Sequence, residues 1–266
     1  MIAKLRELYA YRELLLNLVK KELKLRYRGS VLGFLWSLLN PLLMMLVFTF
    51  VFANVFKLGI KDFPVFLLVG LLPWNFFSGA VSSSTGSIIN YGHLVKKVYF
   101  PREILPISYV LADLVNFLLA MLVLIPFLIY YGYNFYIYIP LVLVVIVLQV
   151  CLTLGFAFIL SSLNVFFRDI QYIVGVIMLI LFYATPIIYS LEMIQNMSFM
   201  KEHPWLLTVY QLNPLTALIT MYRNMLYNMA LPSLKIIGFS IGVSLAVLFL
   251  GYFIFHKMEP RFAEEV

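Results

Sequence analysis

The stretch KKELKLRYRGSVLGFLWSLLNPLLMMLVFTFVFANVF, residues 20–56, decides the fold of this chain. Its first nine residues carry five basic side chains and one glutamate, and residues 31–56 contain no ionisable side chain. At a rise of about 1.5 Å per residue the uncharged run forms a helix of about 39 Å, which is long enough to cross a hydrocarbon core of about 30 Å. Basic residues beside a first span stay on the cytoplasmic side, so the sequence predicts a membrane span with a cytoplasmic amino-terminal end.

The composition of the whole chain agrees with that prediction. Of 266 residues 64% are hydrophobic and 12% are charged, whereas soluble domains carry about 25% charged residues. The chain is therefore predicted to be one polytopic membrane domain. Its net charge of +7 comes from basic residues at the ends of apolar runs, which indicates membrane orientation rather than nucleic-acid binding.

Residues 1–30 precede the first span and alternate leucines with basic residues at roughly helical spacing. This pattern is typical of an amphipathic helix that lies in the cytoplasmic interface. The alternative is that the basic residues only keep this end of the chain in the cytoplasm and form no surface helix. Because these residues are charged, we expect no secretory signal peptide. The single cysteine, Cys151, argues against disulfides and thiolate metal sites.

The sequence predicts an all-α fold with six transmembrane helices in residues 31–266. Pro73 is expected to bend or break the second helix, and the small hydroxylated residues 82–87 are expected to face protein. Residues 190–232 are too polar for a clean span and are predicted to form short outer helices, partly re-entrant, with Asn213 as an N-cap. The six predicted spans are residues 31–56, 63–89, 104–131, 139–163, 170–189 and 233–255.

This topology places fourteen Lys and Arg residues on the cytoplasmic side and five outside, which supports cytoplasmic positions for both termini. No catalytic constellation is predicted, because His93, His203 and His256 fall in separate loops, and the same separation argues against a metal site. The chain contains no GxxxxGK[ST] motif, so it is not expected to bind nucleotide or any other cofactor. Work on a substrate would need a partner or an ion gradient.

Asp113 and Asn116 are polar residues inside the third predicted span. A charged side chain at the centre of a span costs about 2.5 to 3.5 kcal/mol on insertion scales, so such groups are usually paired or functional. Asp113 is either a hydrogen-bonded packing residue or part of an ion pathway.

Aromatic residues concentrate in the first and fifth predicted spans. Phe48 and Phe52 are four residues apart on one helical face, and Tyr172, Phe182 and Tyr183 lie in the fifth span. Aromatic rings stack on the C–H faces of sugars, so an uncharged aromatic path suits a sliding glycan. The alternative is that these rings face lipid or the core.

The loop after the second span, residues 91–103, mixes apolar and basic side chains. It is either an interfacial linker or a docking element for a soluble partner. Its candidate docking residues are His93, Leu94, Lys96, Lys97, Tyr99 and Arg102.

Several segments together resemble the permease subunits of ABC exporters for cell-surface polysaccharides, the Wzm-type O-antigen and TagG-type teichoic acid transporters. The segments span nearly the whole chain in the same order: LVKKELKLRYRGSVLGFLWSLLNPLLMMLVFTFVF, KKVYFPREILPIS, NVFFRD, ATPIIY and YQLNPLTALI. The resemblance implies a homodimer in the cytoplasmic (inner) membrane, bound to two copies of a cytoplasmic ATPase that uses ATP and Mg²⁺. Its substrate would be an undecaprenyl-diphosphate-linked polysaccharide, first of all O-antigen.

The resemblance also implies roles for residues of this chain. Phe48, Phe52, Tyr172, Phe182 and Tyr183 would border the pathway, and residues 93–102 would contact the ATPase. The amino-terminal helix would gate the lipid-linked substrate, and residues 190–232 would form an outer gate. Teichoic acid or capsule export, a drug or small-lipid ABC permease, an ion-gradient carrier and a membrane-embedded glycan enzyme remain as alternatives.

Overall fold

The computed structural model describes residues 6–7 and 9–266, apart from the side chain of Phe34, and this part of the chain is helical without a β-strand. Part of the predicted amino-terminal pattern, including Lys4, Leu5 and Leu8, lies outside the described residues. The helices of the first half of the chain are α1 (Arg12–Arg26), α2 (Trp36–Phe48), α3 (Phe63–Thr85), α4 (Ser87–Asn90), α5 (Gly92–Lys97) and α6 (Ile104–Tyr130). A π-helix, Thr49–Val55, continues α2, and a 3₁₀ turn, Gly33–Leu35, precedes it.

The second half of the chain contains two long helices separated by short ones. Its helices are α7 (Ile139–Phe166), α8 (Ile170–Tyr183), α9 (Leu191–Asn196), α10 (Ser198–Glu202), α11 (Pro204–Gln211), α12 (Pro214–Leu226), α13 (Leu234–Met258) and α14 (Phe262–Glu265). The 3₁₀ turns Phe135–Tyr138 and Glu259–Arg261 precede α7 and α14.

Five of the helical segments are long and apolar enough to cross a membrane: α2 with its π continuation, α3, α6, α7 and α13. The predicted all-α polytopic membrane fold is therefore confirmed. The fifth predicted span is shorter than expected, because α8 has 14 residues and extends only about 21 Å. It ends at Tyr183, before the Thr185–Pro186 pair, since proline disfavours helical backbone in the residue before it.

Helix α3 forms the centre of the bundle. In its most apolar stretch 78% of the residues are buried inside the protein. Pro73 does not break this helix, because α3 runs unbroken from Phe63 to Thr85. Gln149 of α7 donates a hydrogen bond to the Pro73 carbonyl at 2.7 Å and accepts one from Tyr222 of α12 at 2.8 Å. Gln149 thus links the backbone of α3 at the proline to α7 and α12.

The hydroxylated end of α3 faces protein, as predicted. Ser84, Thr85 and Ser87 are completely buried. Ser84 and Thr85 donate hydrogen bonds to the Val81 carbonyl at 3.1 and 2.7 Å, so their polar groups are satisfied inside the bundle. Small side chains at this position allow close helix packing.

Helices α7 and α13 approach each other most closely at a pair of glycines. A Cβ atom on Gly251 would lie 2.2 Å from the Gly155 carbonyl oxygen, a distance that no side chain tolerates. The two helices can therefore pack backbone to backbone only because both positions lack a side chain.

The two ends of the bundle differ in what they assemble. At one end, here called the basic end, α1, the α4–α5 segment and the tail after α13 share one hydrophobic cluster that includes Leu18, Tyr91, Val95, Phe255 and Phe262. At the opposite end lie α9–α12, and the predicted N-cap is confirmed there: Asn213 Oδ1 accepts a hydrogen bond from the Leu215 amide at 3.0 Å. The first and last described segments therefore lie at the same end of the bundle.

Candidate functional site

A row of aromatic rings runs along the interface of α2, α3 and α8. Ring centroids are 5.7 Å apart for Trp74 and Phe182, 6.3 Å for Phe182 and Phe48, 6.0 Å for Phe48 and Phe52, and 5.6 Å for Phe52 and Phe56. These five residues are called the aromatic row. Three of the residues that the sequence assigned to a pathway, Phe48, Phe52 and Phe182, therefore lie in one continuous feature.

The π-helix Thr49–Val55 lies within this row. A π-helix places residues further round the axis than an α-helix does, and such segments occur frequently at functional sites. Here the change of pitch accompanies the stacked pair Phe52 and Phe56, whose rings are inclined by 24°. Sequence spacing suggested the Phe48 and Phe52 face but carried no signal for the π-helix.

The two tyrosines of the predicted pathway take different positions. Tyr183 contacts Phe182 edge to face, with centroids 5.2 Å apart, and is 63% exposed at the end of the row. Tyr172 is 79% exposed and lies near the start of α8, about 16 Å along the helix from Tyr183. The structure brings Tyr183 to the aromatic row but leaves Tyr172 away from it.

An apolar cavity of about 640 Å³ lies at the opposite end, where the aromatic row meets the short helices. Phe52, Phe56 and Tyr183 line one wall, and methionines of residues 193–200 line the other. The Tyr189 and Tyr210 hydroxyls are 3.0 Å apart beside it. The predicted outer-gate segment thus faces the end of the aromatic row.

Arg223 holds the turn after α8 in place. Its guanidinium donates hydrogen bonds to the carbonyl oxygens of Ile187 at 2.6 Å and Tyr189 at 3.2 Å, and lies 3.7 Å from the centroid of the Phe66 ring. Because the side chain is deeply buried, desolvation lowers the pKa of Arg223 to about 9. The sequence analysis treated Arg223 only as a charge in an outer loop.

At the basic end, the predicted docking loop is fixed by helix α1. Tyr91 donates a hydrogen bond to Glu22 at 2.6 Å, and the Lys21 ammonium lies 4.3 Å from the centroid of the Tyr91 ring. Burial, together with the bond to Glu22, raises the pKa of Tyr91. Helix α5 is therefore attached to α1 through a neutral, hydrogen-bonded phenol.

The other side of the loop packs against the tail after α13. Arg102 donates a hydrogen bond to the Glu259 carbonyl, and Phe262 is completely buried in the shared cluster. A Cβ atom on Gly92 would lie 2.3 Å from Val266 Cγ1, so the loop and the tail touch directly. The sequence carried no signal for this contact, because residues 262–266 look like an ordinary charged terminus.

The predicted docking residues divide into an exposed group and a supporting group. His93, Lys96, Lys97 and Tyr99 are exposed, whereas Leu94 and Arg102 are half-buried. The buried neighbours Val95 and Phe100 anchor the loop in the cluster. The loop therefore presents basic and aromatic side chains outward from a fixed base.

Asp113 and Asn116 are both engaged by the end of α1. The Arg26 guanidinium pairs with Asp113 Oδ1 at 2.5 Å, and Ser83 donates a hydrogen bond to Asp113 Oδ2 at 2.9 Å. Tyr27 donates to Asn116 Oδ1 at 2.8 Å. This geometry favours the paired packing role for Asp113, since both of its oxygens are occupied.

One group of potential cation ligands forms at the basic end. Single ligand atoms of Glu103, His256 and Glu259 lie within 4.8 Å of one another. His256 Nδ1 is 3.2 Å from Glu259 Oε2, so an ion pair between these side chains accounts for their proximity. The sequence analysis placed the three histidines in separate loops, whereas His256 lies in the last turn of α13, and it did not consider one histidine with two glutamates.

These features define a class of protein: a multi-pass helical membrane protein with an aromatic row inside the bundle and a basic surface loop at one end. Comparison with known proteins gives the family. The ABC-2 type transporter family matches residues 13–227, and the chain belongs to it. The predicted resemblance to polysaccharide-export permeases is confirmed by the relatives described next.

The chain is similar over its full length to permeases of O-antigen export systems. It is 40% identical over 266 residues to the O-antigen export system permease protein RfbA of Myxococcus xanthus, covering 100% of both chains. It is 36% identical over 255 residues to the RfbA protein of Klebsiella pneumoniae, covering 95% of this chain and 94% of that one. A shorter similarity, 33% over 95 residues, relates it to the polysialic acid transport protein KpsM of Escherichia coli.

Proposed function

We propose that the chain is the membrane-embedded permease subunit of an ATP-driven exporter for a lipid-linked cell-surface polysaccharide, namely an O-antigen. The observation that carries this proposal is the 40% identity to an O-antigen export permease over the whole of both chains. The chain contains no nucleotide-binding motif, so a separate ATPase subunit supplies the energy.

The loop at the basic end is the proposed contact with the ATPase. Its exposed side chains are carried on a base that packs against both α1 and the tail after α13. A displacement of α5 should therefore move α1 and α13 together, because α5 is packed against both. In this proposal ATP-driven closure of the partner moves the ends of α1 and α13 as one unit.

The aromatic row is the proposed wall of the export path. Rings without fixed charges offer many similar weak contacts, which let a long repeating polymer move. Helices α2 and α8 also expose apolar side chains along much of their lengths, including Leu46, Phe50, Val176 and Leu179. A second copy of the chain, packed on these helices, would enclose the path in a homodimer.

The orientation follows from the charges at the two ends. The basic end carries most of the Lys and Arg residues, so we place it and both termini in the cytoplasm, with the protein in the inner membrane. In this orientation α1 lies on the cytoplasmic side of the membrane, where the lipid-linked substrate is assembled and would contact it. Residues 190–232 close the path on the outer side.

The proposal is tested by deleting the chromosomal gene and supplying it again. We expect the deletion to trap O-antigen on its lipid carrier inside the cell and to remove it from the surface, with restoration by the wild-type gene. Copurification should bring down an ATP-binding protein whose ATPase rate rises with lipid-linked glycan but not with drugs. Normal surface O-antigen in the deletion strain would refute the proposal.

One other substrate class has support of its own. The similarity to the polysialic acid transport protein extends over 35% of this chain. Export of a capsular polysaccharide is therefore the second candidate function. The deletion distinguishes the two, because loss of capsule with intact O-antigen on the cell surface would favour the second candidate.

A further inference from the structure

We propose that a pocket bordered by α1, α2, α3 and α6 and lined in part by polar side chains binds a neutral sugar ring, namely the sugar unit nearest to the lipid carrier. This inference rests on the proposed function and adds a binding site to it. The pocket has a volume of about 660 Å³, within the range of small-ligand sites. It is separate from the aromatic row and lies beside the end of α1.

The first argument is the concentration of polar side chains in an apolar domain. Each of the four helices around the pocket contributes at least one: Arg26 comes from the last turn of α1, Asn40 from α2, Asn75 from α3, and Asp113 and Asn116 from α6. Polar groups at membrane depth destabilise a bundle unless they are satisfied. The pairing of Arg26 with Asp113 and of Tyr27 with Asn116 explains part of the cluster, but it does not involve Asn40 or Asn75.

The second argument is hydrogen-bonding capacity that the fold leaves unused. The Nδ2 group of Asn116 is buried and has no hydrogen-bond partner among the described residues. Asn40 and Asn75 line the pocket, and their side-chain amides make no hydrogen bond within residues 6–7 and 9–266. Leaving the buried Nδ2 donor of Asn116 unsatisfied costs about 1 to 3 kcal/mol, which a bound hydroxyl would recover, whereas Asn40 and Asn75 are exposed and carry no such cost.

The third argument concerns which ligand matches these groups. The amides of Asn40 and Asn75 and the Nδ2 group of Asn116 offer both donors and acceptors in one pocket, as the adjacent hydroxyls of a sugar ring require. Trp36, which is 44% exposed, also lines the pocket and supplies a ring face for stacking. Because Arg26 is already paired with Asp113, the pocket has no spare positive charge for a phosphate. The lining therefore favours a neutral sugar over a phospholipid headgroup.

The location of the pocket suits a substrate that arrives within the membrane. Asp113 comes nine residues after the start of α6, about 14 Å along the helix from the basic end. A sugar attached to a carrier in the adjoining leaflet could reach this depth from the side. The residues of α1 that border the pocket, Arg26 and its neighbour Tyr27, would contact the sugar as it enters.

Gly79 provides a steric test. It lines the pocket, and a Cβ atom there would lie 3.5 Å from Asp113 Oδ1, which is an ordinary contact. Gly79→Ala should therefore leave the pocket usable, whereas Gly79→Leu should fill it. Asn75→Leu is a second variant that should block the pocket. The Asn75 side chain is exposed and makes no hydrogen bond to the described residues, so this substitution carries little risk to folding. Gly238→Leu, on the open side of α13, controls for adding a leucine to a span.

The experiment uses the permease together with its copurified ATPase in lipid nanodiscs. The probe is a photoreactive alkyl glucoside, and peptides carrying the label are located by mass spectrometry. Competitors are an unlabelled alkyl glucoside and an alkyl phosphocholine with the same chain. We expect labelling of peptides from α3 and α6, competition by the glucoside alone, and about tenfold weaker binding in Gly79→Leu and Asn75→Leu, with wild-type binding in Gly79→Ala and Gly238→Leu.

Two results would overturn the inference. Equal competition by the phosphocholine would identify a headgroup site, and unchanged labelling in both blocking variants would place the sugar elsewhere. Neither result would contradict the proposed function as long as the wild-type complex exports O-antigen. Conversely, a wild-type complex that fails to export while it binds the glucoside in this pocket would contradict the proposed function alone.

Discussion

Helices α3 and α8 are both apolar, yet they occupy opposite environments. The side chains of α3 are buried by α2, α6, α7 and α12, whereas Val174 is the only residue of α8 that is fully buried. Composition cannot distinguish them, because lipid and protein interior are equally apolar. The difference shows that one copy of the chain completes its own centre around α3 but leaves the helices beside the aromatic row uncovered.

The largest expected effect comes from truncating leucines in the two environments. Leu68 on α3 is 0% exposed and Leu179 on α8 is 61% exposed. Leu68→Ala should destabilise the protein by about 2 to 5 kcal/mol because it leaves a cavity, whereas Leu179→Ala should change stability by about 0.5 kcal/mol or less. Thermal unfolding of both variants as monomers in one detergent checks this, because a second copy packed on α8 would cover Leu179. Equal losses would mean that α8 is packed in the protein as closely as α3.

Charge reversal in the docking loop should have the next largest effect. We expect Lys96→Glu combined with Lys97→Glu to abolish copurification of the ATPase, because both ammonium groups are exposed on a fixed helix. The protein should still insert, since neither side chain supports the core. The matched control is Lys201→Glu, an exposed lysine at the opposite end. An intact complex in the double variant would rule out this surface as the main contact.

The aromatic row should show a moderate effect on transport alone. Phe48→Ala or Tyr183→Ala should slow export several-fold at normal membrane abundance, because each removes a ring from the proposed path. Phe253→Ala is the control, since Phe253 on α13 is 64% exposed, makes no ring contact with a described residue and lies outside the proposed dimer surface. Pulse-chase measurement of surface O-antigen compares the three variants. Equal export rates in Phe48→Ala and Phe253→Ala would show that the aromatic row does not line the path.

The smallest effect is expected at the junction of α1 with the docking loop. Tyr91→Phe keeps the packing of the ring but removes the hydrogen bond to Glu22. A loss of about 0.5 to 1.5 kcal/mol in stability should follow, with a weaker coupling of ATP hydrolysis to export. The ratio of ATP hydrolysed to glycan exported measures this coupling. A wild-type ratio would show that this hydrogen bond transmits nothing.

Much of the fold follows from apolar run length and charge, which are local properties of the chain. The first span, predicted for residues 31–56 and present as Trp36–Val55, the cap at Asn213 and the buried hydroxylated end of α3 were all predicted from the local sequence. The hydrogen bond between Gln149 and the Pro73 carbonyl could not be predicted, because the two residues are 76 positions apart in the chain. Local spacing holds no information about such a partner.

The candidate site was predicted less completely for the same reason. The face shared by Phe48 and Phe52 could be read from helical spacing, but its connection to Trp74 through Phe182 depends on how three helices cross. The partner of Asp113 was missed because Arg26 is 87 residues away. The sequence analysis treated Arg26 only as one of the basic residues that keep the amino-terminal end in the cytoplasm. Pairings across the bundle require the packed structure.

The central claim is that this chain forms an export path but takes its energy from another subunit. The most direct measurement is transport of lipid-linked O-antigen in reconstituted vesicles, with the purified chain alone and with its copurified ATPase. We predict movement only when the ATPase and ATP are both present. Movement by the chain alone, driven by an ion gradient or by nothing, would contradict the account.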